Sequence, residues 1–150
     1  MNPNIVFQGF TGSGKTYLPC ALGREACKPD ICTRYIRFPD LLLAHEEAEH
    51  TKSGKSKLVK KYSSYKLLII DEWLTQISTE HELNFLFEVI ERRFDSGAII
   101  LCTQFKEEDW HVRLGSGIHA DSIMDRISHN IIRFYVGDIN MRALLAKRQK

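Results

Sequence analysis

The sequence predicts an α/β domain in which helices cover both faces of a parallel sheet. Three observations carry that prediction. Short apolar runs alternate with stretches of helical periodicity along the 150 residues, the pattern of β-α units joined by right-handed crossovers. Leu67 to Ile70 is apolar at every position, as suits a strand covered on both faces, where a half-solvated strand would alternate. A glycine-rich segment, Gly9 to Thr16, stands between a candidate strand and a candidate helix.

The elements follow in order. Asn4 to Gln8 is the first candidate strand, and Tyr17 to Cys27 is rich enough in Leu, Ala and Arg to form a helix. Pro19 removes an N–H and crowds the carbonyl of Lys15, which predicts a bend just behind the glycine segment. Pro29-Asp30 closes this unit. Thr33 to Phe38 alternates large and charged residues, as an edge strand would. Asp40 is read as the cap of a short helix ending near Glu49. Thr51 to Ser64 mixes Gly, Ser and lysines and is expected to be the mobile part of the chain. Leu67 to Ile70 then delivers Asp71 and Glu72 at the carboxyl end of its strand. Thr79 and Glu82 offer a capping box, and Leu83, Leu86, Phe87, Ile90 and Phe94 recur at helical spacing, with Gly97 as the stop. Ala98 to Cys102 is a buried strand ending in Thr103-Gln104. A helix over Ile118 to Ser128 and a last strand over Ile131 to Val136 complete the pattern, with no internal repeat.

Composition narrows the function. The length is that of one ordinary domain, 1–150, with apolar content for a core that needs neither disulfide nor structural metal. A net charge of +2 is too close to neutral to announce a nucleic-acid binder, so any DNA contact has to be local. Cys20, Cys27, Cys32 and Cys102 lack the paired spacing of a zinc site, and the six histidines show no metal-site pattern. They read as reduced thiols and structural imidazoles of a cytoplasmic protein. No apolar run reaches the roughly 20 residues that span a bilayer.

Gly9-Phe10-Thr11-Gly12-Ser13-Gly14-Lys15-Thr16 fits the phosphate-binding pattern G-x-x-x-x-G-K-[ST]. Glycines let successive N–H groups turn in around phosphates, the lysine reaches the outer phosphates, and the Thr16 hydroxyl is placed to ligate Mg²⁺. Asp71, at the end of a neighbouring apolar strand, is the second expected magnesium ligand. Glu72 beside it can orient and deprotonate a water for attack on a γ-phosphate, work that a phosphoryl-transfer kinase does not need. No guanine-recognition signature is present, so ATP is the expected nucleotide.

Together with their flanks, these residues resemble the IstB-like and DnaC-like AAA+ ATPases, helpers of certain transposases and of helicase loading. The likeness runs through Gly12 to Leu18, Ala21-Leu22-Gly23, Phe38 to Leu42, Leu67 to Glu72, Leu86 to Arg93, Trp110 and Asp125 to His129, in that order and across nearly the whole chain. It implies a five-stranded parallel sheet in the order 5-1-4-3-2, with ATP and Mg²⁺ at the carboxyl ends of the strands and Tyr17 among the nucleotide-binding residues. It also implies that Thr103-Gln104 is a polar sensor lying between the two acidic and phosphate motifs, with the Gln104 amide holding the water. Arg126 falls where the family places a finger that reaches the neighbouring subunit's ATP. A surface ion pair with Asp125 is the other reading. Arg142 matches a second sensor arginine, although the family usually has Ser-Tyr where Asn140-Met141 stand here.

The chain starts three residues before its first strand, and few residues follow the last. Against the family this implies an absent N-terminal partner-binding region, a short adenine side and a lid nearly absent. An active helper ATPase and a truncated, weakly binding interaction module both fit that outline. Lys52, Lys55, Lys57, Lys60 and Lys61 read either as a DNA-phosphate contact or as a solvated helix balancing Glu46, Glu47 and Glu49. The expected partners are DNA, a transposase or a replicative helicase, and further copies of the chain in an ATP-dependent homo-oligomer. Trp73 fits either packing against the sheet edge or facing a neighbour.

Overall fold

The structure is a computed structural model that describes residues 3–9 and 32–135. Its elements are β1 (Asn4–Gln8), β2 (Thr33–Arg37), α1 (Phe38–Glu49), α2 (Gly54–Ser64), β3 (Leu67–Asp71), α3 (Glu80–Arg93), β4 (Ala98–Thr103), α4 (Glu107–Arg113), α5 (Ile118–Ser128) and β5 (Ile131–Tyr135). The sheet runs β2-β3-β4-β1-β5 with every pair parallel. Read from the other edge, this is the expected order 5-1-4-3-2, with β2 at an edge.

Strand alternation divides the core in two. Val6, Ile36, Leu68, Ile70, Ile99 and Leu101 face one side, in one cluster with the buried apolar residues of the described helices. Phe7, Ile69, Ile100 and Cys102 face the other. The helix expected over Tyr17 to Cys27, with its bend at Pro19, lies outside the described residues.

Three local expectations change. α1 begins at Phe38 rather than behind Asp40, and Pro39 sits in its first turn, where a missing N–H costs nothing. Asp40 is therefore a first-turn acid and not the cap, and it accepts an ion pair from Arg37 at 3.6 Å. The segment expected to be mobile forms α2, because Val59 and Tyr62 stand three apart and bury against the core while Lys57, Lys60 and Lys61 point to solvent. Its entry is tight. A Cβ at Gly54 would lie 2.2 Å from the Ala48 carbonyl oxygen, so only glycine fits.

The third change is at the end of α3. Its capping box is present as expected, with Thr79 Oγ1 accepting from the Glu82 N–H and Glu82 accepting from the Thr79 N–H. The helix stops at Arg93, and Asp95 rather than Gly97 takes the left-handed turn at φ 65. Gly97 is needed for space. A Cβ there would meet the Arg93 guanidinium at 2.6 Å. Arg93 is 1% exposed and donates to the carbonyls of Tyr62, Tyr65 and Ala98, tying α2, the start of β3 and the start of β4 together. Burial lowers its pKa to about 10, which leaves it cationic at neutral pH.

Among the described residues, no helix is long and apolar enough to cross a membrane.

Candidate functional site

Three neighbouring strands bring five of the expected site residues, Gly9, Asp71, Glu72, Thr103 and Gln104, to one end of the sheet. β4 lies between β3 and β1, so Thr103-Gln104 leaves the sheet between Asp71-Glu72 on one side and Gly9 on the other. The Gly9 N–H donates to the Thr103 carbonyl at 3.1 Å, extending the β1–β4 ladder into the first residue of the phosphate-loop motif. Phe10 to Thr16, Tyr17 and Arg142 lie outside the described residues.

The acid pair is held from β2. Asp71 is 4% exposed, and its Oδ1 accepts the Glu72 N–H at 2.8 Å while Oδ2 accepts the Tyr35 hydroxyl at 2.6 Å. Glu72 adopts φ 54, a left-handed conformation that costs a non-glycine residue roughly 1–2 kcal/mol and ends the strand abruptly. Its side chain stays half-exposed, with Oε2 2.8 Å from Nη2 of Arg37. The carboxylate of Glu72 raises the Arg37 pKa above its ordinary value. Tyr35 and Arg37 are the site residues that sequence reading missed. Their alternation marked an edge strand, but only the β2–β3 register, with Arg37 opposite Asp71, shows what they touch.

Behind the acids, the chain is locked down. The Trp73 N–H donates to the Cys102 carbonyl at 2.8 Å, and Thr103 Oγ1 donates to the Trp73 carbonyl at 3.0 Å. The same hydroxyl accepts the Phe105 N–H at 3.0 Å. Thr103 is 1% exposed, so its side chain stitches the floor of the site together instead of presenting itself to a ligand, whereas Gln104 is exposed. Trp73 is fully buried, edge-on to Phe38 at 5.1 Å and to Trp110 at 6.0 Å. It packs in the core and faces no neighbour.

Arg126 is not brought to the acids within one chain. It lies on α5 near the amino end of β1, where Asn4 Nδ2 donates to the Arg126 and Ile127 carbonyls. Its guanidinium grips Glu91 with Nε at 2.8 Å and Nη2 at 3.2 Å, and it covers the Phe94 ring. The surface ion pair of the alternative reading is made with Glu91 rather than Asp125, because residues of α3 and α5 face each other across the helix–helix contact. Of the lysines, Lys55 pairs with Glu88 at 3.7 Å, while Lys52, Lys57, Lys60 and Lys61 are exposed.

A family model described as IstB-like ATP binding protein matches residues 1–149. The chain belongs to that family. Among the relatives of this IstB-like chain, an insertion sequence ATP-binding protein of Sinorhizobium fredii is 33% identical over 94% of the chain and 56% of its own length. The insertion sequence IS232 ATP-binding protein of Bacillus thuringiensis is 34% identical over 85% of the chain and 50% of its own length. The chain therefore spans about half the length of the curated relatives it matches. A DNA replication initiation factor superposes with a TM-score of 0.76 at 21% identity, covering 97% of this chain and 44% of that one. The DnaC helicase loader superposes at 0.72 and 18% identity, covering 89% and 77%. These two share the fold of the IstB-like chain.

Proposed function

We propose that this chain binds ATP with Mg²⁺ and hydrolyses it as the nucleotide-driven part of a DNA-transaction helper, and that the transaction is the transposition of an insertion sequence rather than helicase loading. The observation that carries the reading is the convergence of Gly9, Thr103-Gln104 and Asp71-Glu72 at the carboxyl ends of three adjacent strands. The names of the relatives favour transposition, and a transposase as partner.

In this reading the Gly9 to Thr16 segment cradles the phosphates and Lys15 neutralises the outer ones. The donor set fits magnesium, since Asp71 is a buried carboxylate with a lone pair on each oxygen beyond its two hydrogen bonds. Asp71 and the Thr16 hydroxyl would hold the ion, which withdraws charge from the phosphate oxygens when bound. Glu72 takes a proton from the attacking water, and the Gln104 amide orients that water. Arg126 serves the ATP of a neighbouring copy, leaving Glu91 to do so, and Arg142 senses nucleotide from its own chain. Tyr17 completes the nucleotide contacts, and the exposed lysines of Lys52 to Lys61 face DNA phosphates.

The test is a nucleotide-binding isotherm and a turnover assay with Mg²⁺, with and without duplex DNA. Lys15→Ala should abolish binding, and Glu72→Gln should keep binding and lose turnover. Equal turnover by Glu72→Gln and the parent would sink the mechanism. A second reading, a module that binds ATP and turns none over, is favoured by the Arg37–Glu72 pair, which engages the proposed base. ATP binding by the parent with no turnover at any protein or DNA concentration would select it.

A further inference from the structure

The two acids are held by groups of different kinds, and the difference is informative. Along a strand, residues two apart share a face and stand about 6.7 Å apart. Tyr35 lies opposite Ile69, and its phenol spans that step forward to reach Asp71 Oδ2 at 2.6 Å. A serine would be too short, and a phenylalanine would bring no donor. With the Glu72 N–H on Oδ1, both oxygens of Asp71 are oriented, and at 4% exposure water contributes little to that orientation. Both donors are neutral. A cation such as the one Arg37 sets on Glu72 would also orient a carboxylate, but it would cancel the negative charge that a divalent ion needs. The phenol fixes the plane of Asp71 and leaves its charge in place.

We infer that Tyr35 is a positioning residue for magnesium, holding Asp71 in the orientation from which it binds the ion. The inference rests on the magnesium role proposed above for Asp71. It separates the work of β2 into two parts: Tyr35 presents the metal carboxylate, while Arg37, two residues on, restrains the other acid.

Fluorescent ATP binding to the full chain, with Mg²⁺ titrated from an EDTA-buffered zero, tests it in the parent, Tyr35→Phe and Asp71→Asn. Mn²⁺ binding in the presence of nucleotide, read by electron paramagnetic resonance, gives a second readout that needs no turnover. Tyr35→Phe should keep the parent's metal-free nucleotide affinity and raise the Mg²⁺ and Mn²⁺ midpoints about tenfold, the low end for removal of an outer-shell partner. Asp71→Asn should raise them further. Tyr35→Phe with the parent's metal midpoint, while Asp71→Asn is impaired, overturns the role of Tyr35 and leaves the ATPase reading standing. An equal loss of affinity with and without metal makes Tyr35 a packing residue and also overturns it. Unchanged metal midpoints in Asp71→Asn remove the magnesium role of Asp71, and the inference falls with it.

Discussion

Replacing Thr103 by valine isolates one oxygen atom at the point where the three site strands are joined. The side chain is 1% exposed, and valine has nearly the same shape, so no cavity opens and the change is confined to hydrogen bonding. Two bonds vanish, one donated to the Trp73 carbonyl and one accepted from the Phe105 N–H, each at 3.0 Å. Leaving a buried backbone group without its partner costs about 1–3 kcal/mol. Phe105 is only partly buried, which places its share at the low end. The expected loss is therefore about 3 kcal/mol in all, a large share of the roughly 5–15 kcal/mol of an ordinary domain. Thr103→Ser keeps the hydroxyl and loses one methyl, worth about 1 kcal/mol. Urea unfolding followed by the fluorescence of the buried Trp73 and Trp110 measures both. With a slope of about 2 kcal/mol per molar urea, the valine midpoint should fall by about 1.5 M and the serine midpoint by about 0.5 M. Nucleotide affinity should follow the same rank, because the Gly9 N–H hangs from the Thr103 carbonyl. A valine variant as stable as the serine variant would refute the stitching role.

Trp73→Ala should cost about 5 kcal/mol, from the loss of a fully buried indole and its edge contacts with Phe38 and Trp110, and a parent-like denaturation midpoint would contradict the core assignment. His45 is buried against the Phe85 ring, and desolvation lowers its pKa below the ordinary value of 6.5 despite the opposing charge of Glu49. The unfolded chain then binds more protons in the window just below 6.5, so this contribution is complete above that pH and is lost as pH falls toward the folded value. Denaturant midpoints should drop across that window in the parent and much less in His45→Phe; identical profiles would discard the assignment. Arg37→Ala should leave stability nearly unchanged, since the ion pair is solvent-exposed, and should raise basal ATP turnover by freeing Glu72. Turnover that falls instead would show Arg37 assisting the reaction.

Much of the fold was legible because local and tertiary preferences agree. Leu67 to Ile70 is apolar at each position and becomes an interior strand, and the Thr79–Glu82 capping box forms as its residue types require. α2 was legible only as one of two readings of its lysines, a solvated helix, and what stayed hidden is its anchoring: the apolar stripe is narrow and flooded by Lys and Ser, so its stability comes from burying Val59 and Tyr62. α4 was not anticipated as a helix. At Glu107 to Arg113 it is two turns long, and it is held by the Trp110 ring and the bond from Trp110 Nε1 to the Phe105 carbonyl.

The sequence alone determined that strands and helices alternate, that Gly9 to Thr16 has the composition of a phosphate loop, and that two carboxylates end a buried strand. These are properties of residue type and spacing along one segment. What only the tertiary structure decided is which side chains from other segments govern those carboxylates: Tyr35 on Asp71, Arg37 on Glu72, and Thr103 beneath Trp73. Each pair is some thirty residues or more apart in the chain. Strand register sets such meetings, and register depends on packing the whole sheet, since a slip of one residue would turn Tyr35 to the opposite face.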